Sequence, residues 1–305
     1  MKSRIHYRGA IDGSIVTLAL CAVSAAGAQQ PDEVLFSDLY GSGNAGNSIV
    51  IQVPTDKVLV FDQSPPYPLK GLYLVVYAKS ATIRANTTIN SFTPGTSTVA
   101  PPTATPSTPS QAPVDVNGTG GSTGITGSAG NNCGRVVLAI DDLKQEGLNQ
   151  LIVHADGEKG GTGGKGGQGG QGGPGHSGSD AGEFPCQKPC PEVGAPGRPG
   201  GHSGSGGVGG TGGNGCTVLL SSPLLDLLNR HDPRISVTVD GGMPGDSGDL
   251  GEPGIGGQGG ARGAGSHSCT CNNPPGPAAN GPAGPRTADP TPIGETGTAG
   301  SIVGL

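Results

Sequence analysis

Glycine occupies every third position from Gly157 to Gly178, and this period constrains the fold more than any other feature of the sequence. Neither an α-helix nor a β-strand has a period of three, whereas polyproline II has three residues per turn. Glycine also fills the next position of most of these triplets, so two of the three sides of such a helix carry no side chain. Because polyproline II has no internal hydrogen bonds, its backbone groups must pair with water or with neighbouring segments. The pattern therefore predicts a segment that packs closely against others.

The triplets separate positions that pack from positions that face outward. The predicted exposed side carries Thr162, Lys165, Gln168 and Gln171. The predicted packing positions are Gly160, Gly163, Gly164, Gly166, Gly167, Gly169, Gly170, Gly245, Gly248 and Gly251. Since close-packed interiors tolerate little added volume, we expect bulky residues at the packing positions to prevent folding.

Gly-x-x triplets recur along the chain, and we name these stretches glycine segments. They are segment 1 (118–130), segment 2 (157–178), segment 3 (194–213, with one shift of register at 200–201), segment 4 (242–263) and a weaker segment 5 (281–300). Cysteine-containing loops follow segments 2 and 4, whereas apolar stretches of strand, turn or short helix, and strand follow segments 1 and 3. This alternation indicates an internal duplication of about 85 residues.

The predicted fold class is mainly irregular and all-β: an antiparallel bundle of polyproline II helices capped by short β-strands and preceded by a small β domain. The connections are short compared with the segments, which is why consecutive segments are expected to run antiparallel. The duplicated halves are predicted at about 118–193 and 194–275, within a bundle that spans 114–305.

The region before the bundle divides into three parts. Residues 1–28 have a basic start, an apolar core and small residues before Gln29, which predicts a signal peptide and a secreted or cell-surface protein. Residues 29–92 contain short β-branched runs bounded by turn residues and are predicted to form a small β domain. Residues 93–113 are rich in Pro, Thr and Ser and are predicted to be a linker.

Composition excludes several classes of protein. With 61 Gly, 28 Pro, no Trp and 3% aromatic residues, a large apolar core is not expected. The formal net charge of −6 offers no electrostatic reason to bind nucleic acid or an anionic membrane. The expected partner is an unidentified surface, matrix or protein, and self-association stays open because the stretch 300–305 resembles the start of another strand.

Six cysteines follow the predicted signal peptide, an even number that favours disulfides over zinc in a secreted chain. The duplication places Cys133 and Cys216 at the same position of each half, so these two are expected to meet. Cys186 and Cys190 are expected to meet Cys269 and Cys271, in a pairing that the sequence leaves open. The alternative is a metal site formed by Cys186, Cys190, Cys269 and Cys271 together with His267.

Two stretches of the sequence resemble enzyme motifs but lack the other residues that those motifs need. Gly245 to Gly248 reads GDSG, as around the nucleophile of some serine proteases, but both glycines belong to the Gly-x-x triplets and no His and Asp context precedes Ser247. Lys165 follows a glycine-rich stretch but precedes Gly166, where a phosphate loop needs Ser or Thr. We therefore predict no enzyme activity and no cofactor.

Glycine segments 1 to 4 with their cysteine-bearing turns resemble the family of glycine-rich polyproline II bundles, which includes snow flea antifreeze protein and the N-terminal domain of Obg-type GTPases. The resemblance covers about 190 residues and implies a conformation rather than one function, since those proteins do unrelated things. A collagen-like trimeric fibre is the structural alternative, although such fibres need long uninterrupted triplets rich in Pro.

Two functions from different classes are expected to compete. The first is a non-enzymatic structural or adhesive role for a scaffold stapled by disulfides. The second, implied by the resemblance, is ice binding by a regular face. The charged residues exposed on segments 2 and 4 argue against ice binding, whereas Val208 and Thr211 suit it better.

Overall fold

The computed structural model describes residues 33–42, 48–63, 67–92, 95–97, 110–182, 190–265, 270–273, 275–287 and 293–305. The predicted signal peptide, most of the predicted linker, Cys186 and Cys269 lie outside these ranges. Across the described ranges, neither helix is long and apolar enough to cross a membrane.

Eleven strands and two short helices make up the regular structure of the described chain. The elements before segment 1 are β1 (Glu33–Leu35), α1 (Phe36–Ser42), β2 (Ser48–Gln52), β3 (Val58–Phe61), β4 (Tyr67–Pro68), β5 (Tyr73–Ile83) and β6 (Thr87–Asn90). The later elements are β7 (Arg135–Gln145), β8 (Leu151–His154), β9 (Thr217–Leu220), α2 (Ser222–Asn229), β10 (Ile235–Thr238) and β11 (Ser301–Gly304).

The strands form two sheets in which every pairing is parallel. Sheet A has the order β1-β3-β5-β7-β9-β11, with β2 also paired to β5, and sheet B has the order β10-β8-β6-β4. From β4 onward the chain alternates between the two sheets, so each new strand is added beside the previous strand of its own sheet.

Alternating burial along the strands explains where the core lies. In β5 the buried residues include Leu74, Val76 and Ala78, with exposed or half-buried residues between them, as expected for a strand with one buried face. Side chains of both sheets, such as Leu138 of β7 and Val153 of β8, belong to one apolar cluster. The core therefore lies between sheet A and sheet B, and includes strands from both halves of the chain.

The glycine segments are excursions from this core and contain no helix or strand in their described residues. Segment 1 lies between β6 and β7, segments 2 and 3 between β8 and β9, and segments 4 and 5 between β10 and β11. Each excursion therefore leaves a strand of sheet B and returns to the next strand of sheet A.

The predicted antiparallel bundle of polyproline II helices with short capping strands is wrong, and so is the resemblance to the polyproline II bundle family. Two sheets of parallel strands organise the chain, and β5 and β7 have 11 residues each. The strands expected to form a separate preceding domain pair with later strands in these same sheets. The physical reason is the path of the excursions: parallel neighbours need a long connection that brings the chain back to the same end of the sheet, and the glycine segments provide it.

Candidate functional site

Backbone hydrogen bonds hold the glycine segments together. In segment 2, the N–H of Gly163 donates to the carbonyl of Asp246 in segment 4 (2.8 Å), and the N–H of Gly164 donates to Ile125 in segment 1 (2.7 Å). The carbonyl of Gly164 accepts the N–H of Gly207 in segment 3 (2.8 Å). The same pattern repeats every three residues, so segment 2 is bonded to three neighbours along its length.

All ten predicted packing glycines are buried. A Cβ atom at Gly163 would fall within 3.0 Å of the carbonyl oxygens of Gly207 and Val208, closer than Cβ atoms approach backbone in proteins. Comparable contacts with backbone carbonyls occur at Gly160, Gly166, Gly169, Gly245, Gly248 and Gly251. Backbone therefore occupies the space that a side chain would need.

Small side chains of segments 1 and 3 line up on one side of this structure, and we name this set the hydroxyl face. Its members are Thr123, Thr126 and Ala129 of segment 1 and Ser205, Val208 and Thr211 of segment 3. The two rows are in register, because the N–H groups of segment 1 donate to the carbonyls of the segment 3 members at 2.8 Å and the Ser205 hydroxyl donates to Thr123 Oγ1 at 3.2 Å. All six side chains are exposed or half-buried.

A shallow open groove of about 520 Å³ crosses the hydroxyl face. Thr126 and Ala129 lie on one side of the groove, Ile293 and Glu295 of segment 5 lie on the other, and backbone of Gly209 and Gly210 contributes to its lining. The groove thus connects the hydroxyl face to segment 5. A ladder of asparagine contacts marks one end of the hydroxyl face: Asn132 Oδ1 accepts the N–H of Asn214, whose own Oδ1 accepts the N–H of Thr298.

The predicted exposed side of segment 2 forms part of a different surface, which we name the charged face. Thr162, Lys165 and Gln168 are exposed, whereas Gln171 is half-buried and its carbonyl accepts the N–H of Ala112 at 3.0 Å. Segment 4 adds Asp246, Asp249 and Glu252, which are all exposed. Lys159 pairs with Asp246 across the two segments at 2.7 Å.

The two faces lie on opposite sides of the stacked segments. Segment 2 directs two of its three triplet positions, both glycine, toward segments 1, 3 and 4, so its third position points away from segment 3. Segment 3 likewise packs its glycines against segments 1, 2 and 4 and turns its third position outward. The charged residues of segments 2 and 4 are thereby separated from the hydroxyl face, whereas Glu295 of segment 5 lines the groove beside it.

Two disulfide bonds cross-link the excursions, as expected of a chain with few aromatic residues. Cys133 and Cys216 are joined where segments 1 and 3 enter sheet A, with Cα atoms 4.8 Å apart. Cys190 and Cys271 are joined beyond the far ends of segments 2 and 4, with Cα atoms 4.9 Å apart. The predicted contacts of Cys186 and Cys269 lie outside the described residues.

Asp115 fastens the start of segment 1 to segments 2 and 3. Its carboxylate accepts a hydrogen bond from Nδ1 of His176 (2.7 Å) and lies 3.6 Å from Nε of Arg198. The hydrogen bond from His176 is the main reason that the pKa of Asp115 is lowered below its ordinary value. No cluster of three His, Cys, Asp or Glu side chains suited to a metal ion occurs within the part of the chain that the structure describes.

Two polar clusters were not predicted from the sequence. At the ends of β8 and β10, Thr238 Oγ1 donates to the Asp156 carboxylate at 2.9 Å and lies 3.0 Å from Nδ1 of His154. Asp156 also accepts the N–H of Asp240 at 2.8 Å, so the two Asp-Gly turns are tied to each other. The sequence signal was the recurrence of Asp-Gly at Asp156-Gly157 and Asp240-Gly241.

The second unpredicted cluster is a buried carboxylate near the base of segment 2. Glu158 has no exposed surface, and its Oε2 accepts both the backbone N–H (3.0 Å) and the side-chain amide of Asn131. Since a buried carboxylate needs hydrogen-bond donors, Asn131 is a structural partner of Glu158. Glu158 stands in the triplet position that glycine fills at 161, 164 and 167, and this register is the sequence signal that could have predicted its burial.

No protein family model, no curated protein and no solved structure matches this chain. Its functional interpretation therefore depends on its own surfaces.

Proposed function

We propose that this protein is a secreted, non-enzymatic structural or adhesive protein that presents a preformed face to an extracellular surface, matrix or protein partner. The observation that supports this proposal best is the hydroxyl face. Its six side chains are small and uncharged, and they project from backbone whose position is set by hydrogen bonds between segments.

A face of this kind suits adhesion for an entropic reason. Ordering flexible side chains on binding costs about 0.5 to 1.5 kcal/mol for each rotamer-rich side chain. Thr, Ser, Val and Ala lose little rotamer freedom, and the glycine backbone beneath them is already held by its neighbours. Many weak contacts can then add up over a wide area.

The proposed extracellular location has two supports. Disulfide bonds persist in oxidising compartments, and two are present among the residues that the structure describes. The sequence of residues 1–28 predicts a signal peptide.

A binding experiment tests the hydroxyl face directly. Labelled protein would be incubated with the cell envelope and matrix of the producing cells, and the adsorbed fraction measured against concentration. The double variant Thr126→Lys, Thr211→Lys places two strongly hydrated charges on the hydroxyl face, so we expect at least a tenfold loss of adsorption. The control, Thr162→Lys with Gln168→Lys, adds the same charge to the charged face and is expected to adsorb like the unmodified chain. Equal adsorption of both double variants, or a larger loss in the control, would contradict the proposal.

Ice binding is a second candidate, favoured by one observation. The charged residues that argued against it belong to the charged face, whereas the hydroxyl face carries Thr, Ser, Val and Ala in rows at a regular three-residue interval. Regular rows of small, weakly hydrated side chains are what a match to a crystalline lattice of water requires. Thermal hysteresis of the purified protein separates the two candidates. Hysteresis that Thr126→Lys, Thr211→Lys abolishes would establish ice binding, and none at high concentration would remove it.

A further inference from the structure

Sheet A has one face on the core and one face directed away from it, and we name the second the outer face. Along β5, the residues between the buried Leu74, Val76 and Ala78 point outward, and Tyr73 and Tyr77 are 49% and 48% exposed. The strands are parallel and in register, so outward residues of neighbouring strands stand side by side. One such row is wholly aliphatic and crosses five strands: Val50, Val75, Val137, Leu219 and Val303. The middle of the outer face is therefore apolar.

The centre of the outer face is uncovered within the described part of the chain. Parallel sheets normally have both faces covered, because their crossover connections lie on them. In this protein the connections from β4 onward lead instead to sheet B and to the glycine segments. The exposed rings of Tyr73 and Tyr77 lie on β5, which has strands paired on both sides, so the exposed apolar surface is not confined to the rim of the sheet. Such a surface marks an interaction site.

The outer face is large enough for a small specific interface. Five strands about 4.8 Å apart give a width of about 24 Å, and the stretch from Arg135 to Asp141 spans about 20 Å at about 3.3 Å per residue. Two such faces packed together would cover roughly 800 to 1,000 Å² in total, at the lower end of the range for specific interfaces. We therefore expect an association that dissociates on dilution.

Charge on the outer face changes sign along the strands. Arg135 stands at the start of β7 and Asp141 lies six residues later, and both are exposed. Neither forms an ion pair with another described residue. On β5, Tyr73 lies level with Arg135, and Lys79 lies level with Asp141. A partner that fits must present an apolar surface of this size with the opposite order of charge along β7.

The outer face itself, reversed end for end, meets this requirement. We propose that two copies of this chain pack their outer faces together, with strands antiparallel between the copies and a two-fold axis that crosses β7 at Leu138. Arg135 of each copy then lies opposite Asp141 of the other, and the Lys79 ammonium lies over the Tyr73 ring. Stacked sheets are about 10 Å apart, a gap that these long side chains bridge. A two-fold axis along the strands would instead bring ends of like charge together, so the charges select the antiparallel arrangement.

Apolar side chains fill the space between these charged pairs. In the proposed arrangement Val137 faces Ala139 of the other copy, and Val75 faces Tyr77. Tyrosine is a favourable residue to bury at an interface, because its ring covers a large area and its hydroxyl can stay in contact with water. This inference goes beyond the adhesive role and does not depend on what the hydroxyl face binds.

A charge-exchange experiment tests the pairing. The mass of the purified, disulfide-intact chain would be measured by sedimentation equilibrium over a range of concentrations. Arg135→Glu places a carboxylate opposite Asp141 of the other copy and is expected to weaken the dimer at least tenfold. The double variant Arg135→Glu, Asp141→Arg exchanges the two charges and is expected to restore the dimer. Arg262→Glu makes the same change of charge at an exposed arginine of segment 4 and is expected to dimerise like the unmodified chain.

Each outcome decides the proposal. A concentration-dependent dimer that is weakened in Arg135→Glu, recovered in the double variant and unchanged in Arg262→Glu supports it. A monomer at all concentrations would overturn it, and so would a dimer that is as strong in Arg135→Glu as in the unmodified chain. Loss in Arg135→Glu without recovery in the double variant would show that Arg135 does not meet Asp141 and would overturn the arrangement, as would equal weakening by Arg262→Glu. Far-UV circular dichroism of each variant verifies that it is folded.

Discussion

Replacing Gly163 by alanine should destabilise the protein by about 2 to 4 kcal/mol. The new methyl group would lie within 3.0 Å of the carbonyl oxygens of Gly207 and Val208, which are backbone atoms that cannot rotate away. Overpacking of this kind costs about 1 to 3 kcal/mol. Displacing segment 3 also weakens the bonds of Gly207 to Gly164 and of Gly248 to Gly207, at about 1 kcal/mol each. The lower entropy of the unfolded alanine chain offsets about 0.4 to 1 kcal/mol.

The matched control is Gly265→Ala. A Cβ at Gly265 would meet no atom of the described residues within 4 Å, so the effect on the unfolded chain dominates, and stability should be unchanged or higher by up to about 1 kcal/mol. Both variants would be unfolded in guanidinium chloride with disulfides intact. Their unfolding midpoints would be compared after verifying that the unfolding free energy depends equally on denaturant concentration in both variants. If Gly163→Ala and Gly265→Ala unfold within about 0.5 kcal/mol of each other, the packing argument for the glycine segments is refuted.

Three further predictions concern single interactions. Glu158→Ala leaves the N–H groups of Asn131 without their acceptor and should cost about 1 to 3 kcal/mol of unfolding free energy in denaturant titrations, whereas the exposed Glu252→Ala should change it by less than about 0.5 kcal/mol. The double variant Cys133→Ser, Cys216→Ser opens a link between residues 83 apart and should cost about 2 to 4 kcal/mol, visible as a lower melting temperature; an unchanged melting temperature would contradict this. Hydrogen bonds from Arg234 lower the pKa of Asp232 to about 2, so its stabilising effect is fully present above the ordinary pKa of about 4 and is lost as pH falls toward 2. Asp232→Asn should therefore be less stable than the unmodified chain at pH 5 and nearly equal to it at pH 2, and a difference that is constant with pH would contradict the assignment.

The positions of many local elements follow from sequence pattern, but their pairing does not. Alternation in the stretch 48–53 predicts a strand, and β2 lies there. Lys79 and Ser80 interrupt the apolar pattern of the sequence, but β5 continues through them as one strand of 11 residues. Strand propensity is local, whereas β5 pairs in parallel with β2 and β3 on one side and with β7, more than 50 residues further along the chain, on the other. Because the excursions between them were assumed to organise the fold, the sheets were mistaken for caps.

The candidate surface was predictable to a similar degree. The triplet pattern separates glycines from outward positions, so Lys165 and Gln168 were expected to be exposed. Hydrogen bonds between segments decide which outward-facing rows lie on the same side of the protein. The sequence pattern of a single segment does not contain this information. The row of Thr123 and Thr126 therefore received no prediction, and the contact of Ser205 with Thr123 required the register of segments 1 and 3.

Site-resolved amide hydrogen exchange tests the central claim, that the glycine segments are held by backbone hydrogen bonds and so fix the hydroxyl face. The account predicts that the N–H groups of Gly163, Gly164 and Gly207 exchange about as slowly as those of β5 and β7, since each is buried and bonded to a neighbouring segment. Exchange of these glycine amides at the rate of an unstructured chain, beside protected sheets, would contradict it.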